Sequence, residues 1–248
     1  FARENVAFDI YENDILVTTI SQPNGSESGR IAYRKRNKGK TKITIYLPPC
    51  AEIMISGLDI GKYTSVPDKE KNLLILGDSI AQGMTSKCSS LTFSTLLGNY
   101  LGCNVLNQGV GSYIFNEKSL DDNLPFSPDA IYVAYGANDY AKSLATKTKT
   151  YEVDCPAFLS KLSEIYPEVP VYVQTPIPML DLKTDEQIRL FAEVRSFVGE
   201  TALSLCMHAV DGFALIPCSQ LFYADFVHPN ELGFLVYAKN LEKLIAFK

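Results

Sequence analysis

From residue 72 onward, short apolar runs alternate with stretches of helical spacing, and that alternation limits the fold more than any other feature of the chain. Leu73-Leu74-Ile75-Leu76 is unbroken apolar sequence, as a strand covered on both faces requires. Val105-Leu106, Ile131-Tyr132-Val133-Ala134-Tyr135, Val171-Tyr172-Val173 and Ala209-Val210 repeat the pattern. Between these runs the spacing predicts helices over 91–101, closed by Gly102, and over 156–166, opened by a proline in the tolerated first turn. Two more are predicted over 185–205, with Ile188, Phe191, Val194 and Val198 on one face, and over 231–245. Parallel neighbours need crossover connections, so strand and helix repeated this way predict an α/β fold with a parallel sheet.

The chain changes character near residue 66. Upstream, β-prone runs over 15–20, 30–34, 42–47 and 52–55 are separated by turn chemistry at Pro23-Asn24-Gly25-Ser26 and Asn37-Lys38-Gly39-Lys40. This predicts a small all-β domain of sandwich type over 1–66. Val66-Pro67-Asp68-Lys69-Glu70-Lys71 reads as the linker, with the α/β domain over 67–248. At 248 residues the chain is long enough for both.

Ligands of open α/β sheets bind outside the carboxyl ends of the strands. The segments there are Gly77-Asp78-Ser79, Asn107-Gln108-Gly109 and Gly136-Ala137-Asn138-Asp139, joined by Asp225-Phe226-Val227-His228 before the last helix. A serine hydroxyl becomes a nucleophile when a base takes its proton, and histidine titrates in the right range. The chain has two histidines, and His228 lies in a loop beside a carboxylate, Asp225, at a three-residue offset suited to holding its ring. An oxyanion formed at the acyl carbon could be met by the N–H groups of Ser79 and Gly109 and by the Asn138 amide.

These four segments resemble the four sequence blocks of the SGNH (GDSL-type) hydrolases, in the same order. The resemblance implies a three-layer α/β/α, flavodoxin-like domain. It also implies an esterase with the triad Ser79, His228 and Asp225 and an oxyanion hole of Ser79, Gly109 and Asn138, requiring neither metal nor organic cofactor. With its β-rich front, the chain also resembles two-domain bacterial carbohydrate acetylesterases, whose small domain is jelly-roll-like. That implies short-chain acyl, foremost acetyl, esters of carbohydrate as substrates. A lipid or thioester acylhydrolase is the alternative within the family, and a catalytically silent glycan-binding module the alternative outside it. The absence of tryptophan weighs against the latter.

Other features have plainer readings. The formal charge of −5 gives no general attraction to nucleic acid or anionic lipid, and no apolar run is long enough to span a bilayer. The six cysteines form no C-x-x-C pair and read as small buried residues of a reducing, cytoplasmic compartment, whereas a polysaccharide substrate points outside the cell. The chain opens on Phe1 with no signal-peptide pattern, so its start gives no address. His208 reads as a core or edge histidine, and the basic run over 34–42 as a solvated hairpin tip. Asp78 reads as a shaper of its turn. Gly109-Val110-Gly111 lacks the third glycine of a dinucleotide loop, since position 114 is Ile. Tyr113, Phe115, Tyr135 and Tyr140 flank the oxyanion segments and suit a sugar platform, an acyl-pocket wall or plain core equally.

Overall fold

The computed structural model describes residues 5–23, 25, 28–57, 59 and 61–247. At its front, β1 (Asn5–Glu12), β2 (Ile15–Pro23) and β3 (Ile43–Tyr46) form an antiparallel sheet in the order β2-β1-β3. Asn13 and Asp14 join β1 to β2 at φ 49° and 66°, the left-handed backbone that a two-residue hairpin turn needs and these residue types tolerate. Strand β1 was not among the expected strands, although Val6, Phe8 and Ile10 alternate into a buried face. Segment 15–20 and residues 43–46 of segment 42–47 lie in strands, while 30–34 and 52–55 have irregular backbone. Tyr33 donates its hydroxyl to Glu12, a carboxylate 2% exposed. The basic run is a loop wrapped on the β1–β2 hairpin, not a hairpin tip: Arg36 N–H and the Asn37 amide donate to Glu12, and Lys42 pairs with Asp14 at 2.7 Å. The expected turn at Pro23–Ser26 includes Asn24 and Ser26, which lie outside the described residues.

The remainder is an α/β unit. Strands β4 (Asn72–Gly77), β5 (Asn104–Gly109), β6 (Ala130–Ala134), β7 (Val171–Gln174) and β8 (His208–Val210) form an all-parallel sheet in the order β5-β4-β6-β7-β8. Among the described residues, seven α-helices accompany it: α1 (Ser79–Gln82), α2 (Phe93–Tyr100), α3 (Ala137–Thr146), α4 (Tyr151–Ile165), α5 (Asp185–Ser204), α6 (Gly212–Leu215) and α7 (Glu231–Leu241). Both sheet faces are covered. Leu73 and Ile75 of β4 pack with Phe93, Phe234 and Tyr237 from α2 and α7, while Leu74 and Leu76 pack with Phe158, Val194 and Val198 from α4 and α5.

Helix ends follow local chemistry. Thr184 and Gln187 close a capping box at the start of α5. Gly102, just past α2, takes φ 62°, as expected of a helix-ending glycine. Helix α4 begins five residues before Pro156, contrary to the expected start. The fully buried Tyr151 anchors this extra turn through Glu193, its hydroxyl donating at 3.0 Å, and the proline removes only one backbone bond there. Helix α3 was not expected at all. The cysteine reading fits only in part, since Cys103 and Cys155 are buried but Cys206 and Cys218 are exposed. Among the described residues, no helix is long and apolar enough to cross a membrane.

Candidate active site

Register places the site. Gly77 at the end of β4 pairs with Gly109 of β5 and Ala134 of β6, so the segments that follow these strands emerge side by side. Immediately after β4 the chain turns into α1, with Asp78 as N-cap accepting the Ile80 N–H at 2.9 Å. Ser79 is thereby the first helical residue, and its N–H has no intrahelical acceptor. Gly109 has no room for a side chain: a Cβ would stand 2.3 Å from Gln82 N. Its close approach is to the backbone of α1, which sets the distance between the first two segments.

His228 arrives from the other side, in the loop before α7. The loop is tied by the Ala224 N–H to His228 carbonyl bond, 2.9 Å, and by Thr85, whose hydroxyl donates to the Pro229 carbonyl at 2.7 Å. Asp225 Oδ1 accepts the N–H groups of Val227 and His228, each at 2.7 Å. Asp225 Oδ2 lies 2.8 Å from His228 Nδ1, and His228 Nε2 lies 2.8 Å from Ser79 Oγ. Partial burial opposes the Asp225 charge, yet the two N–H donors and the histidine ring hold its carboxyl below the usual value. Ser79, His228 and Asp225, expected together from sequence, form one hydrogen-bonded chain.

The other two expected residues are close by but already engaged. Gly109 N–H donates to the Asn107 side chain at 2.9 Å. The Asn138 amide, in the first turn of α3, donates to the Tyr113 carbonyl at 3.0 Å and reaches Asp78 Oδ2 at 3.4 Å. Beneath them, burial raises the Asp78 carboxyl to about 7 and that of Asp139 to about 6. Asp78 shapes the turn, as expected. Phe115 and Tyr135 belong to the core, Tyr113 is exposed, and Tyr140 lines the cleft described next. His208 sits exposed on β8 with its ring stacked on Tyr172, 4.6 Å between centroids.

Ser79 and His228 open onto a cleft of about 410 Å³. One wall is α3 itself, presenting Ala137, Tyr140, Ala141, Leu144 and Ala145; Met84, Met179 and Val227 add to the lining. Sequence reasoning missed this wall. Its signal was present as the i, i+3, i+4, i+7, i+8 spacing that begins at Ala137.

Residues 75–235 match the GDSL-like Lipase/Acylhydrolase family. No curated protein sequence matches the chain. Among solved structures, the chain is similar to the salicylyl-acyltransferase SsfX3 from a tetracycline biosynthetic pathway, at 16% identity and TM-score 0.74, over 98% of this chain and 75% of that one. It is similar to a carbohydrate esterase family 2 enzyme with a carbohydrate-binding domain from Corynascus thermopiles (Myceliophthora fergusii), at 16% identity and TM-score 0.64, over 98% and 87%. A third similarity is to Axe2, an acetyl xylan esterase from Geobacillus stearothermophilus, at 20% identity and TM-score 0.56, over 73% and 97%. At these identities the structural likeness speaks for the fold.

Proposed function

This chain belongs to the GDSL-like Lipase/Acylhydrolase family and is a carboxylic ester hydrolase, and from that premise we propose that Ser79, His228 and Asp225 are its catalytic triad. The observation that carries the reading is the hydrogen-bonded chain from Ser79 Oγ through His228 to Asp225, 2.8 Å at each of its two links. His228 Nε2 takes the Ser79 proton as Oγ attacks the ester carbonyl. Asp225 keeps the proton of His228 on Nδ1 and stabilises the imidazolium. The oxyanion is met by the N–H groups of Ser79 and Gly109 and by the Asn138 amide. Asn107 and Tyr113 hold the latter two donors until the carbonyl arrives, and such bonds commonly rearrange when substrate binds. His228 then protonates the leaving alcohol, and water repeats the cycle on the acyl-enzyme.

For the substrate, an acetyl ester of a carbohydrate has the support of relatives described as a carbohydrate esterase and an acetyl xylan esterase. The apolar α3 wall favours a second reading, an acyl group longer than acetyl. We also read residues 1–66 as a β domain added to a hydrolase domain over 67–248. The 73% of this chain covered by the acetyl xylan esterase fits the length of the second part.

The test is hydrolysis of p-nitrophenyl acetate and release of acetic acid from acetylated xylan, with Ser79→Ala as the blank. Ser79→Ala should abolish both, and Asn138→Ala should lower kcat about 10²–10³-fold, the cost of one oxyanion donor. Full activity in Ser79→Ala would remove the triad. Cleavage of the aryl ester without the xylan would keep the triad and discard the carbohydrate.

A further inference from the structure

We propose that the trough along α3 binds the acyl chain of the substrate and selects chains longer than acetyl. This rests on the reading of Ser79 as nucleophile. The cleft holds about 410 Å³, within the range of roughly 300–1,000 Å³ that encloses whole small ligands. An acetyl group would leave most of it to water. Its α3 wall, from Ala137 to Ala145, runs about 12 Å at the rise of an α-helix. Beyond the Asn138 amide at its Ser79 end, this wall presents only apolar groups and the Tyr140 hydroxyl, and Ala141 and Ala145 are exposed although they stand on the same stripe as the buried Ala137 and Tyr140. An apolar helix stripe normally turns to the core. Here it turns partly to an open cleft that begins at Ser79.

The chemistry favours the acyl side over the alcohol side. The leaving oxygen must face His228 Nε2 to receive its proton, and the oxyanion must face Asn138. Asn138 is the second residue of α3, so the reacting carbonyl sits at the start of that helix, and the substituent placed along it is the acyl chain, which points away from His228. The lining also counts against a sugar there. Gln187 reaches the cleft, but its side-chain oxygen already accepts the N–H groups of Lys183 and Thr184. That leaves the Gln187 amide N–H groups, Asp181 and the Tyr140 hydroxyl as polar groups of the wall away from Ser79, too few to replace the hydration of a ring of hydroxyls.

Chain-length kinetics on p-nitrophenyl acetate, butyrate, hexanoate and octanoate, with the alcohol held constant, test this. The expected result is a rise in kcat/KM of about fourfold for each methylene buried, the equivalent of about 0.8 kcal/mol. Ala141→Glu, a helix-favouring change at an exposed position, should cut the octanoate-to-acetate ratio of kcat/KM about tenfold or more by placing a carboxylate in the trough. A ratio unchanged in Ala141→Glu, or Ser79-dependent activity that falls steadily from acetate, would overturn the trough and leave the triad standing. A trend that follows the alkyl length of the alcohol at constant acetyl would overturn it as well. Calorimetric binding to Ser79→Ala separates the two readings. Octanoate binding well above acetate, and lost in the Ser79→Ala, Ala141→Glu double variant, would support the trough even if turnover proved independent of Ser79, whereas equal binding of both would overturn it.

Discussion

At the scale of single residues, Asp78 carries the larger of two buried-carboxylate costs beneath the site. It is fully buried below Ser79, where desolvation raises its carboxyl from 3.8 to about 7; the Ile80 N–H works against that rise and nearby Asp139 adds to it. An acid with a raised value in the folded state holds its proton there while the unfolded chain has released it. Its contribution to stability is therefore whole below pH 4 and is lost as pH climbs from about 4 to about 7. The displacement corresponds to roughly 4 kcal/mol at most. Asp139, raised to about 6 chiefly by burial, acts in the same direction. Calorimetry should find the wild type less stable at pH 8 than at pH 5, with a clearly smaller gap in Asp78→Asn, whose side-chain oxygen can still accept the Ile80 N–H. An equal gap in both proteins would place the pH dependence elsewhere. Sequence made Asp78 recognisable as a turn-shaper, because an acid beside a strand-ending glycine suits an N-cap. Its buried cost was not legible, since that depends on what α3 and the core bring against it. Likewise, the glycine at 109 was legible, but its need to clear the backbone of α1 appears only once β4 and β5 are in register.

At the scale of elements, α7 and the loop before it act as one piece. Asn230 caps α7 by accepting the Gly233 N–H at 2.9 Å, while its amide donates to the carbonyls of Leu221 at 2.9 Å and Tyr223 at 3.3 Å. It therefore pins both ends of the loop that carries Asp225 and His228. Asn230→Ala should cost about 1–3 kcal/mol by urea denaturation, combining a lost cap with two carbonyls left unbonded. It should also lower kcat more than it raises KM, because His228 would wander from Ser79 while the cleft stays intact. A stability loss with unchanged kcat would reduce Asn230 to a cap. Elements with their own strong signals were legible in sequence: the unbroken apolar run of β4, the helical spacing of Ile188, Phe191, Val194 and Val198 in α5, and the glycine after α2. Those decided by partners were not. Strand β1 hides its alternation behind Asp9 and Glu12, which read as surface charges yet are buried acceptors. Helix α3 escaped notice because its stripe starts inside a motif read for its chemistry.

At the scale of the whole molecule, polar groups of the front sheet are hydrogen-bonded to the segment that leads into α2. Asp9 is 0% exposed and accepts the Thr19 hydroxyl at 2.7 Å, the Ser90 N–H at 2.8 Å and the Ser90 hydroxyl at 2.7 Å. The Ser89 hydroxyl reaches the Ala7 carbonyl at 2.7 Å, and Tyr11 donates to Ser90 at 3.0 Å. Ser89 and Ser90 lie three and two residues before Thr92, the N-cap of α2, and Gly83 at the end of α1 packs so closely on Thr92 that a Cβ there would stand 2.3 Å from its methyl group. Damage at this joint therefore has a short path to the nucleophile. Asp9→Ala would leave three donors without their acceptor and should cost about 2–4 kcal/mol. The informative measurement is urea denaturation followed both by far-ultraviolet circular dichroism and by residual esterase activity. If the sheet and the hydrolase unit unfold together, the two curves coincide in the wild type and shift down together in Asp9→Ala. If the sheet melts first, the dichroism of Asp9→Ala gains an early step while activity keeps its wild-type midpoint. The first outcome would make residues 1–66 part of the fold of the active site. The second would make them an appendage whose role lies outside the chemistry.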